Sequence, residues 1–321
     1  MSVTTREASS AMSLRMALLQ HLKCPAGSSL CRAGLEMQEN SLFCQCGRLY
    51  STHDGVLDLR LEGEWDLEGH QNVDGDRYLS NTFVNSFYRR QYGCLVETAP
   101  VRKTVGRIPE FRGGAESYYQ TMIGMVVPHV SKESFVVDVG CALGRLTGEM
   151  AKVGARIALG LDFSPAMAWR ANEIMTTPET ENIALSLPET RLKMNPGTLA
   201  GWGLENCVFA AADAQRLPLQ ARSVDVMVCS NLLHRVPDPQ RVLSEIERAT
   251  RQGSVVLISN SYDWSEEFSE PKHWFDDVAT QLTPSCWRKL AEVDGVPYLS
   301  SIHNRKFTHA LNHIVLMERR S

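Results

Sequence analysis

The 321-residue sequence has neither a long hydrophobic run nor an excess of positive charge. No window approaches the roughly 18 apolar residues that a membrane helix needs, and the opening residues lack the apolar core of a signal peptide. We therefore expect a soluble, cytoplasmic protein without a membrane partner. Lys and Arg total 33 against 37 Asp and Glu, a net charge of -4, which argues against a nucleic acid partner held by a general positive field.

The sequence also lacks repeats, low-complexity tracts and the even cysteine count of a disulfide framework. Its nine cysteines include several within apolar, strand-like runs, where a reduced thiol packs as a small hydrophobic group. With 43% hydrophobic and 22% charged residues, the composition is that of a folded globular chain.

The chain divides into five segments that differ in composition and hydrophobic pattern. The Ser- and Thr-rich residues 1–13 predict a mobile tail, and the short apolar runs of residues 14–61, broken by Gly, Pro and Cys, predict a small β-rich module. An acidic stretch predicts an exposed linker over residues 62–77. Aromatic, helix-forming stretches in residues 78–130 predict a helical lid or cap over the domain that follows, residues 131–321.

In that last segment, short apolar runs alternate with segments of helical period. This pattern is typical of a parallel sheet covered by helices on both faces, so we predict an α/β fold. Residues 239–253 predict a helix that stops at Gly253, and the runs near the chain end predict an antiparallel pair closing one sheet edge. The five apolar runs are FVVDVG, RIALGLDFS, CVFAAADA, VDVMVCSN and SVVLISN.

A glycine-rich turn, VVDVGCALGR, follows the first apolar run. Asp138 ends the strand, and Gly140 and Gly144 let the backbone turn sharply and approach a ligand. Asp162 ends the second run, where a carboxylate suits ribose hydroxyls, and Asp213 ends the third, near an adenine edge. The turn alone is equally typical of a bare tight turn, but three acidic strand ends in order favour a nucleotide site.

This Asp-x-Gly-x-x-x-Gly motif resembles the first motif of the class I S-adenosylmethionine-dependent methyltransferases, and the likeness spans roughly residues 134–320. The resemblance implies a Rossmann-like, seven-stranded sheet that binds S-adenosylmethionine. It assigns cofactor contacts to Asp138, Gly140, Cys141, Gly144, Arg145, Asp162, Phe163, Ser164, Met167, Asp213, Ala214, Asn231 and Leu232.

Several further blocks resemble the carboxyl-terminal methyltransferase domain of ovothiol synthase, which methylates a ring nitrogen of a thiol-bearing histidine. The blocks are VDVGCALGR, LGLDFS, SNLLHRVPDPQRVL, ISNSYDWSEEFSEPKHW and VPYLSSIHNRKFTHALNHIVLMERR. The resemblance implies N-methylation of a small substrate that carries an imidazole-like or other nitrogen heterocycle, and we favour the imidazole ring of a histidine-derived compound. His234 departs from the pattern, since an acidic residue is expected there.

An imidazole acceptor needs no strong base, because a ring of pKa about 6.5 is largely neutral at pH 7. An acceptor for its other ring N–H would still select the tautomer. Asn231, His234 and Tyr262 lie just beyond the fourth and fifth apolar runs and are the candidate catalytic residues, although each also suits a purely structural role. Candidate substrate contacts are Glu266 and Glu267 for an amine, and Arg305 and Lys306 for a carboxylate.

The β-rich module resembles the small zinc-ribbon-like modules of the rRNA guanine methyltransferases and of the tRNA methyltransferase activator family. The shared features are an early Cys-Pro, a later Cys-x-Cys-Gly, a tyrosine and an Asp-Gly-Val turn. Cys24, Cys31, Cys44 and Cys46 could supply a tetrahedral thiolate site for zinc, and the alternative is a ribbon held by apolar packing alone.

The ribbon also raises an alternative function, RNA base methylation with the module as the recognition element. The net charge of -4 and the absence of an Asn-Pro-Pro-aromatic motif argue against it. A third alternative, a non-catalytic scaffold, is disfavoured because Asp138, Gly140, Gly144 and Asp162 are all present. We therefore favour a small-molecule N-methyltransferase.

Overall fold

The structure is a computed structural model that describes part of the 321-residue chain. The predicted tail (1–13) and acidic linker (62–77) lie outside the described residues, as does most of the predicted cap (78–130). The described residues are 14–27, 31, 34–38, 41–61, 87–88, 90–92, 114–184, 198–303 and 306–321.

Strands and helices alternate from residue 114 onward, as the apolar runs predict. The strands are β1 Leu35–Gln38, β2 Ser41–Cys44, β3 Leu49–Tyr50, β4 Thr52–His53, β5 Val56–Asp58, β6 Phe135–Val139, β7 Ile157–Asp162, β8 Asn182–Ala184, β9 Thr198–Ala200, β10 Cys207–Ala211, β11 Val224–Ser230, β12 Thr250–Asn260, β13 Trp287–His303 and β14 Lys306–Arg319. The α-helices are α1 Gly114–Val126, α2 Arg145–Lys152, α3 Pro165–Thr176 and α4 Pro239–Ala249, with further helical residues at 14–19 and within 87–92. The 3-10 turns are Val127–His129, Ala214–Arg216, Leu233–Arg235, Pro271–His273 and Val278–Gln281.

The main sheet has the order β13-β14-β12-β11-β6-β7-β10-β5-β4. Strands β6, β7, β10, β11 and β12 run parallel, while β14 lies antiparallel between β12 and β13. These seven strands confirm the predicted α/β sheet, and β13 and β14 form the predicted antiparallel pair at its edge. All five residues of β6 are buried, which explains its continuous apolar run.

Helices cover both faces of the sheet. The helices α1, α2 and α3 pack on one face, and α4 packs on the other together with the residues 14–19. The helix α4 ends at Ala249, so the prediction that it continues to Gly253 was wrong. Thr250 ends it, because its backbone is extended (ψ of 142°) and pairs with Val224 of β11, and its Oγ1 donates to the Ile246 carbonyl (2.9 Å). The parallel strand therefore begins four residues earlier than the sequence suggests.

Residues 14–61, the thiol module, share the core of the main sheet. Strand β5 pairs in parallel with β10, and β4 pairs with β5, so the module extends the sheet to nine strands. The ring of His21 stacks on Phe135 of β6 at 4.1 Å between ring centroids, and Leu22 forms a bridge with Leu219. The module is thus bound to the sheet by backbone pairing as well as by side-chain packing.

Among the helices that the structure describes, none has the length and apolar content needed to span a bilayer.

Candidate functional site

The glycine-rich turn leaves β6 in a left-handed conformation. Gly140 and Gly144 have φ of 74° and 77°, and Ala142 between them has φ of 48°. A Cβ on Gly144 would lie 2.8 Å from the Phe209 ring, and one on Gly140 would lie 3.0 Å from the side chain of Leu232. Both glycines are therefore required by the conformation and by close packing.

Asp138 lies beneath this turn and has one oxygen without a partner. Its Oδ2 accepts hydrogen bonds from the Thr147 backbone N–H (3.0 Å) and the Thr147 hydroxyl (2.8 Å). Its Oδ1 is buried and has no hydrogen-bond partner among the described residues. Burial raises the pKa of Asp138 to about 7. A buried acceptor without a partner is stabilised when a ligand donates a hydrogen bond to it, so Asp138 Oδ1 is a candidate ligand contact.

The next two strand ends also present carboxylates to the same edge of the sheet, which we call the carboxyl edge. Asp162 accepts from the backbone N–H of Ala142 (2.8 Å) and of Ser164 (2.9 Å), and burial raises its pKa to about 6. Asp213 caps the turn after β10 by accepting from the Gln215 backbone N–H (2.8 Å). The structure thus brings the three acidic strand ends into one row.

Residues from the predicted cap hold the glycine-rich turn from outside. The Gln91 amide donates to the Cys141 carbonyl (3.1 Å), and the Tyr92 hydroxyl donates to the Leu143 carbonyl (2.7 Å). Arg145, the first residue of α2, is buried and forms an ion pair with Glu149 (2.8 Å). Its guanidinium lies among three rings, those of Tyr92, Tyr119 and Trp202, at 5.5 to 5.8 Å from their centroids.

The remaining predicted cofactor contacts surround the same edge. Ser164 caps α3 by accepting from the Met167 backbone N–H (3.2 Å), and Met167 is fully buried in the core. Phe163 is half-buried, with the Arg60 guanidinium 5.8 Å from its ring centroid. Ala214 and Leu232 are half-buried where β10 and β11 end.

Four residues form a hydroxyl cluster where β11 and β12 end: Tyr118, Ser230, Asn231 and Ser259. The Tyr118 hydroxyl lies 2.7 Å from Ser230 Oγ, 2.5 Å from Ser259 Oγ and 3.2 Å from Asn231 Nδ2. Asn231 Oδ1 is buried without a partner among the described residues, and Asn231 has φ of 51°. Of the predicted catalytic residues, only Asn231 belongs to this cluster.

The other two predicted catalytic residues belong to a histidine chain: His234, Asn260, Tyr262, His313 and Glu292. Asn260 Oδ1 lies 2.6 Å from His234 Nδ1 and accepts from the Tyr262 backbone N–H (3.1 Å). The Tyr262 hydroxyl lies 2.7 Å from His313 Nδ1, and His313 Nε2 lies 2.9 Å from Glu292. Burial lowers the pKa of His234 to about 4 and raises that of Tyr262 to about 12.

The predicted substrate contacts are less well gathered. Glu266 and Glu267 are exposed in the connection between β12 and β13. Arg305 lies outside the described residues, and Lys306 begins β14 with a side chain that is not described.

The four cysteines of the module form a thiol cluster whose sulfur atoms all lie within 4.8 Å of one another. Cys24 Sγ and Cys46 Sγ are 3.8 Å apart. Two sulfur atoms bound at about 2.3 Å to a tetrahedral zinc ion would also lie about 3.8 Å apart. Gly27 and Gly47, three residues after Cys24 and Cys44, have φ of 63° and 89° and close two similar turns. This donor set fits a structural zinc ion, which Cys24, Cys31, Cys44 and Cys46 would hold.

Several polar residues at the carboxyl edge were not predicted from the sequence as site residues. Tyr118 and Tyr92 lie in aromatic stretches that predict only a cap, and Asn260 is the last residue of an apolar run. Asn312 of β14 is fully buried, and both polar atoms of its amide have no partner among the described residues. A polar residue ending an otherwise apolar run was the available signal.

The residues at the carboxyl edge fit S-adenosylmethionine as a ligand. The orphaned Asp138 Oδ1 is an acceptor for a cationic amine, and Gly140, with φ of 74°, turns the backbone sharply at the strand end. Asp162 and Asp213 end the next two strands, in the order that a ribose and then an adenine require.

Residues 137–258 match the family described as "Methyltransferase domain". An uncharacterised chloroplastic methyltransferase of Arabidopsis thaliana is 24% identical over 214 residues, 66% of this chain and 51% of the relative. A ubiquinone biosynthesis O-methyltransferase of Cupriavidus pinatubonensis is 30% identical over 124 residues, 39% of this chain and 40% of that protein. The chain thus spans about half or less of the length of these curated relatives.

Among solved structures, the N-methyltransferase NodS of Bradyrhizobium japonicum, in complex with S-adenosyl-L-homocysteine, matches with a TM-score of 0.45 and 12% identity. The match covers 75% of this chain and 100% of that one. The strand order of the sheet shows a Rossmann-like α/β fold, and residues 137–258 within it are similar to the methyltransferase domain family.

Proposed function

We propose that this protein is an S-adenosylmethionine-dependent N-methyltransferase whose substrate is a small, histidine-derived compound methylated on its imidazole ring. The observation that carries the proposal is that the three candidate catalytic residues, Asn231, His234 and Tyr262, are uncharged at pH 7. Asn231 does not titrate, while burial puts the pKa of His234 at about 4 and that of Tyr262 at about 12. Such groups cannot readily deprotonate a phenol or a carbon acid, whereas a neutral ring nitrogen already offers a lone pair.

The relatives alone do not select the acceptor atom, since their names include an O-methyltransferase and a sterol C-methyltransferase. S-Adenosylmethionine supplies a methyl group on a sulfonium centre. The ring nitrogen's lone pair forms the new N–C bond as the S–C bond breaks, and that bond's electron pair stays on sulfur. The methylated ring is cationic and loses its N–H proton to solvent. The residues Asp138, Gly140, Asp162 and Asp213 would hold the cofactor, and the chain would contribute mainly by orienting the two reactants.

We further propose that the thiol cluster of Cys24, Cys31, Cys44 and Cys46 binds zinc as a structural site. The close approach of the four sulfur atoms supports this, and the Tyr50 hydroxyl, 3.0 Å from Cys24 Sγ, is placed to donate to a thiolate. Because β5 continues from this module into the main sheet, zinc would stabilise the sheet edge.

The function is tested by turnover with trideuteromethyl-labelled S-adenosylmethionine and mass spectrometry of the products. The acceptors are histidine, thiohistidines, histidine-containing dipeptides and a structured RNA. We expect one labelled methyl group on an imidazole nitrogen, with a rate that changes little with salt. Label found only in RNA, with activity that falls steeply as salt rises, would contradict the proposal and support RNA base methylation.

A further inference from the structure

The Tyr118 hydroxyl has three polar neighbours and is thereby saturated. A phenol offers one proton and two lone pairs, which match three partners. The partners are Ser230 Oγ at 2.7 Å, Ser259 Oγ at 2.5 Å and Asn231 Nδ2 at 3.2 Å. Tyr118 comes from α1, whereas the other three residues end β11 and β12. A single side chain of the covering helix therefore organises the ends of two neighbouring strands.

In the structure the Asn231 amide donates to the Tyr118 hydroxyl through Nδ2. Since Nδ2 faces the Tyr118 hydroxyl, Oδ1 points to the opposite side, where it is buried and has no partner among the described residues. Asn231 also has φ of 51°, a left-handed backbone conformation that a residue other than glycine adopts only at a cost in free energy. Strain combined with an orphaned acceptor is typical of a ligand-contacting residue.

We propose that Tyr118 is a positioning residue that aims the Asn231 carbonyl oxygen at a hydrogen-bond donor of the methyl acceptor. The inference rests on the proposed function and narrows its substrate class. The acceptor must carry an N–H close to the nucleophilic nitrogen, as an imidazole with one free ring N–H does. A ring whose second nitrogen already bears a methyl group leaves Asn231 Oδ1 buried and unpaired, and binds less tightly.

Packing supports a positioning role that can be separated from folding. The Tyr118 ring lies against Tyr298 with 4.9 Å between centroids and against Tyr119 with 5.3 Å, so Tyr118→Phe keeps the ring contacts and removes only the hydroxyl. Tyr119→Phe removes the neighbouring hydroxyl of the same helix and is the matched control.

The test measures the binding of imidazole and 1-methylimidazole by NMR titration of the full chain saturated with S-adenosylhomocysteine. We expect the wild type to prefer imidazole by about tenfold, the loss of one neutral hydrogen bond with a buried partner. In Tyr118→Phe and in Asn231→Ala the preference should fall to within about twofold, and a cooperative thermal transition shows that each variant is folded. Tyr119→Phe should keep the wild-type preference.

Two results would overturn the inference while leaving the proposed function intact. One is equal binding of both probes by the wild type, and the other is a full preference for imidazole in Tyr118→Phe. If neither probe binds although S-adenosylhomocysteine does, the imidazole substrate class itself fails, and this inference fails with it.

Discussion

The thiol module and the carboxyl edge of the main sheet both concentrate polar atoms, but those atoms have different neighbours. In the module, Cys24 Sγ lies 3.8 Å from Cys46 Sγ and 3.0 Å from the Tyr50 hydroxyl, so its polar atoms face one another. At the carboxyl edge, Asp138 Oδ1 and Asn231 Oδ1 are buried with no partner among the described residues. Groups that complete one another indicate a structural site, and orphaned groups indicate a site for a ligand.

Backbone conformation shows the same contrast. In the module, the left-handed residues Asp54 and Gly55 form the two-residue turn of the hairpin between β4 and β5, where positive φ is the favoured geometry. At the carboxyl edge, Ala142, Asn231 and Tyr262 have positive φ in loops that leave strands. Strain of this second kind accompanies ligand-binding sites.

Removing the metal from the thiol module should have the largest effect. If the cluster holds zinc, chelation or Cys44→Ala should lower the melting temperature by on the order of 10 °C, because several kcal/mol of metal binding stabilise strands shared with the sheet. Differential scanning calorimetry measures this. Cys286→Ala, which changes a thiol outside the cluster, is the control and should shift the transition little. An unchanged melting temperature in chelator would contradict a metal site.

The carboxyl edge should give the cofactor-free protein an unusual dependence of stability on pH. The folded-state pKa of Asp138, about 7, exceeds its ordinary 3.8, so its contribution is present at low pH and is lost as pH rises to 7. Asp162, with a pKa of about 6, acts in the same direction. His234 acts oppositely: its folded-state pKa of about 4 lies below 6.5, so stability is lost as pH falls between these values.

Substitutions separate these opposing contributions, each on the order of 3 kcal/mol. In Asp138→Asn the free energy of unfolding should increase more with pH between 4 and 6.5 than in the wild type, and in His234→Gln it should decrease more. Urea denaturation at a series of pH values provides the measurement. Identical pH profiles for both variants and the wild type would show that neither group titrates with a shifted pKa.

Asp162→Ala should weaken cofactor binding by about tenfold to a hundredfold, through the loss of charge-assisted hydrogen bonds to a ribose. Isothermal titration calorimetry with S-adenosylhomocysteine measures the dissociation constant. Asp263→Ala removes an exposed carboxylate paired with Arg235 and should leave the affinity unchanged. Equal affinity in Asp162→Ala and the wild type would mean that the ribose lies elsewhere.

Tyr262→Phe should have the smallest effect of these changes, a modest decrease in kcat. The Tyr262 hydroxyl contacts His313 and accepts from the Val278 backbone N–H (3.0 Å), so its loss should lower kcat by less than about tenfold through altered orientation. Steady-state kinetics with the acceptor identified by mass spectrometry gives kcat and KM separately. A loss of more than a hundredfold in kcat would assign Tyr262 a direct role in the chemistry.

The sequence predicted the main sheet well because its strands are buried on both faces. Four of the five parallel strands lie within the predicted apolar runs, while β12 begins four residues before its run. Val242, Leu243, Ile246 and Ala249 of α4 are all buried, as their spacing indicates. Local periodicity did not show that α4 ends before Thr250, because pairing of Thr250 with Val224 joins distant parts of the chain.

Contacts between distant segments also limited the prediction of the site. The row formed by Asp138, Asp162 and Asp213 could be read from strand ends, since parallel strands end at one edge. The roles of Tyr118 and Tyr92 could not be predicted, because each hydroxyl bonds to a residue more than fifty positions away. Tyr118 contacts Ser259, and Tyr92 donates to the Leu143 carbonyl. Likewise, the pairing of β5 with β10 is invisible in the composition of residues 14–61.

Hydrogen–deuterium exchange, measured by mass spectrometry with and without S-adenosylhomocysteine, tests the central claim most directly. If the carboxyl edge is the ligand site and the thiol module is structural, protection should increase in peptides covering residues 138–147, 162–167 and 213–216. Peptides covering β1 to β5 should exchange as before. Protection confined to the module, or no added protection at the three strand ends, would contradict the assignment of the two regions.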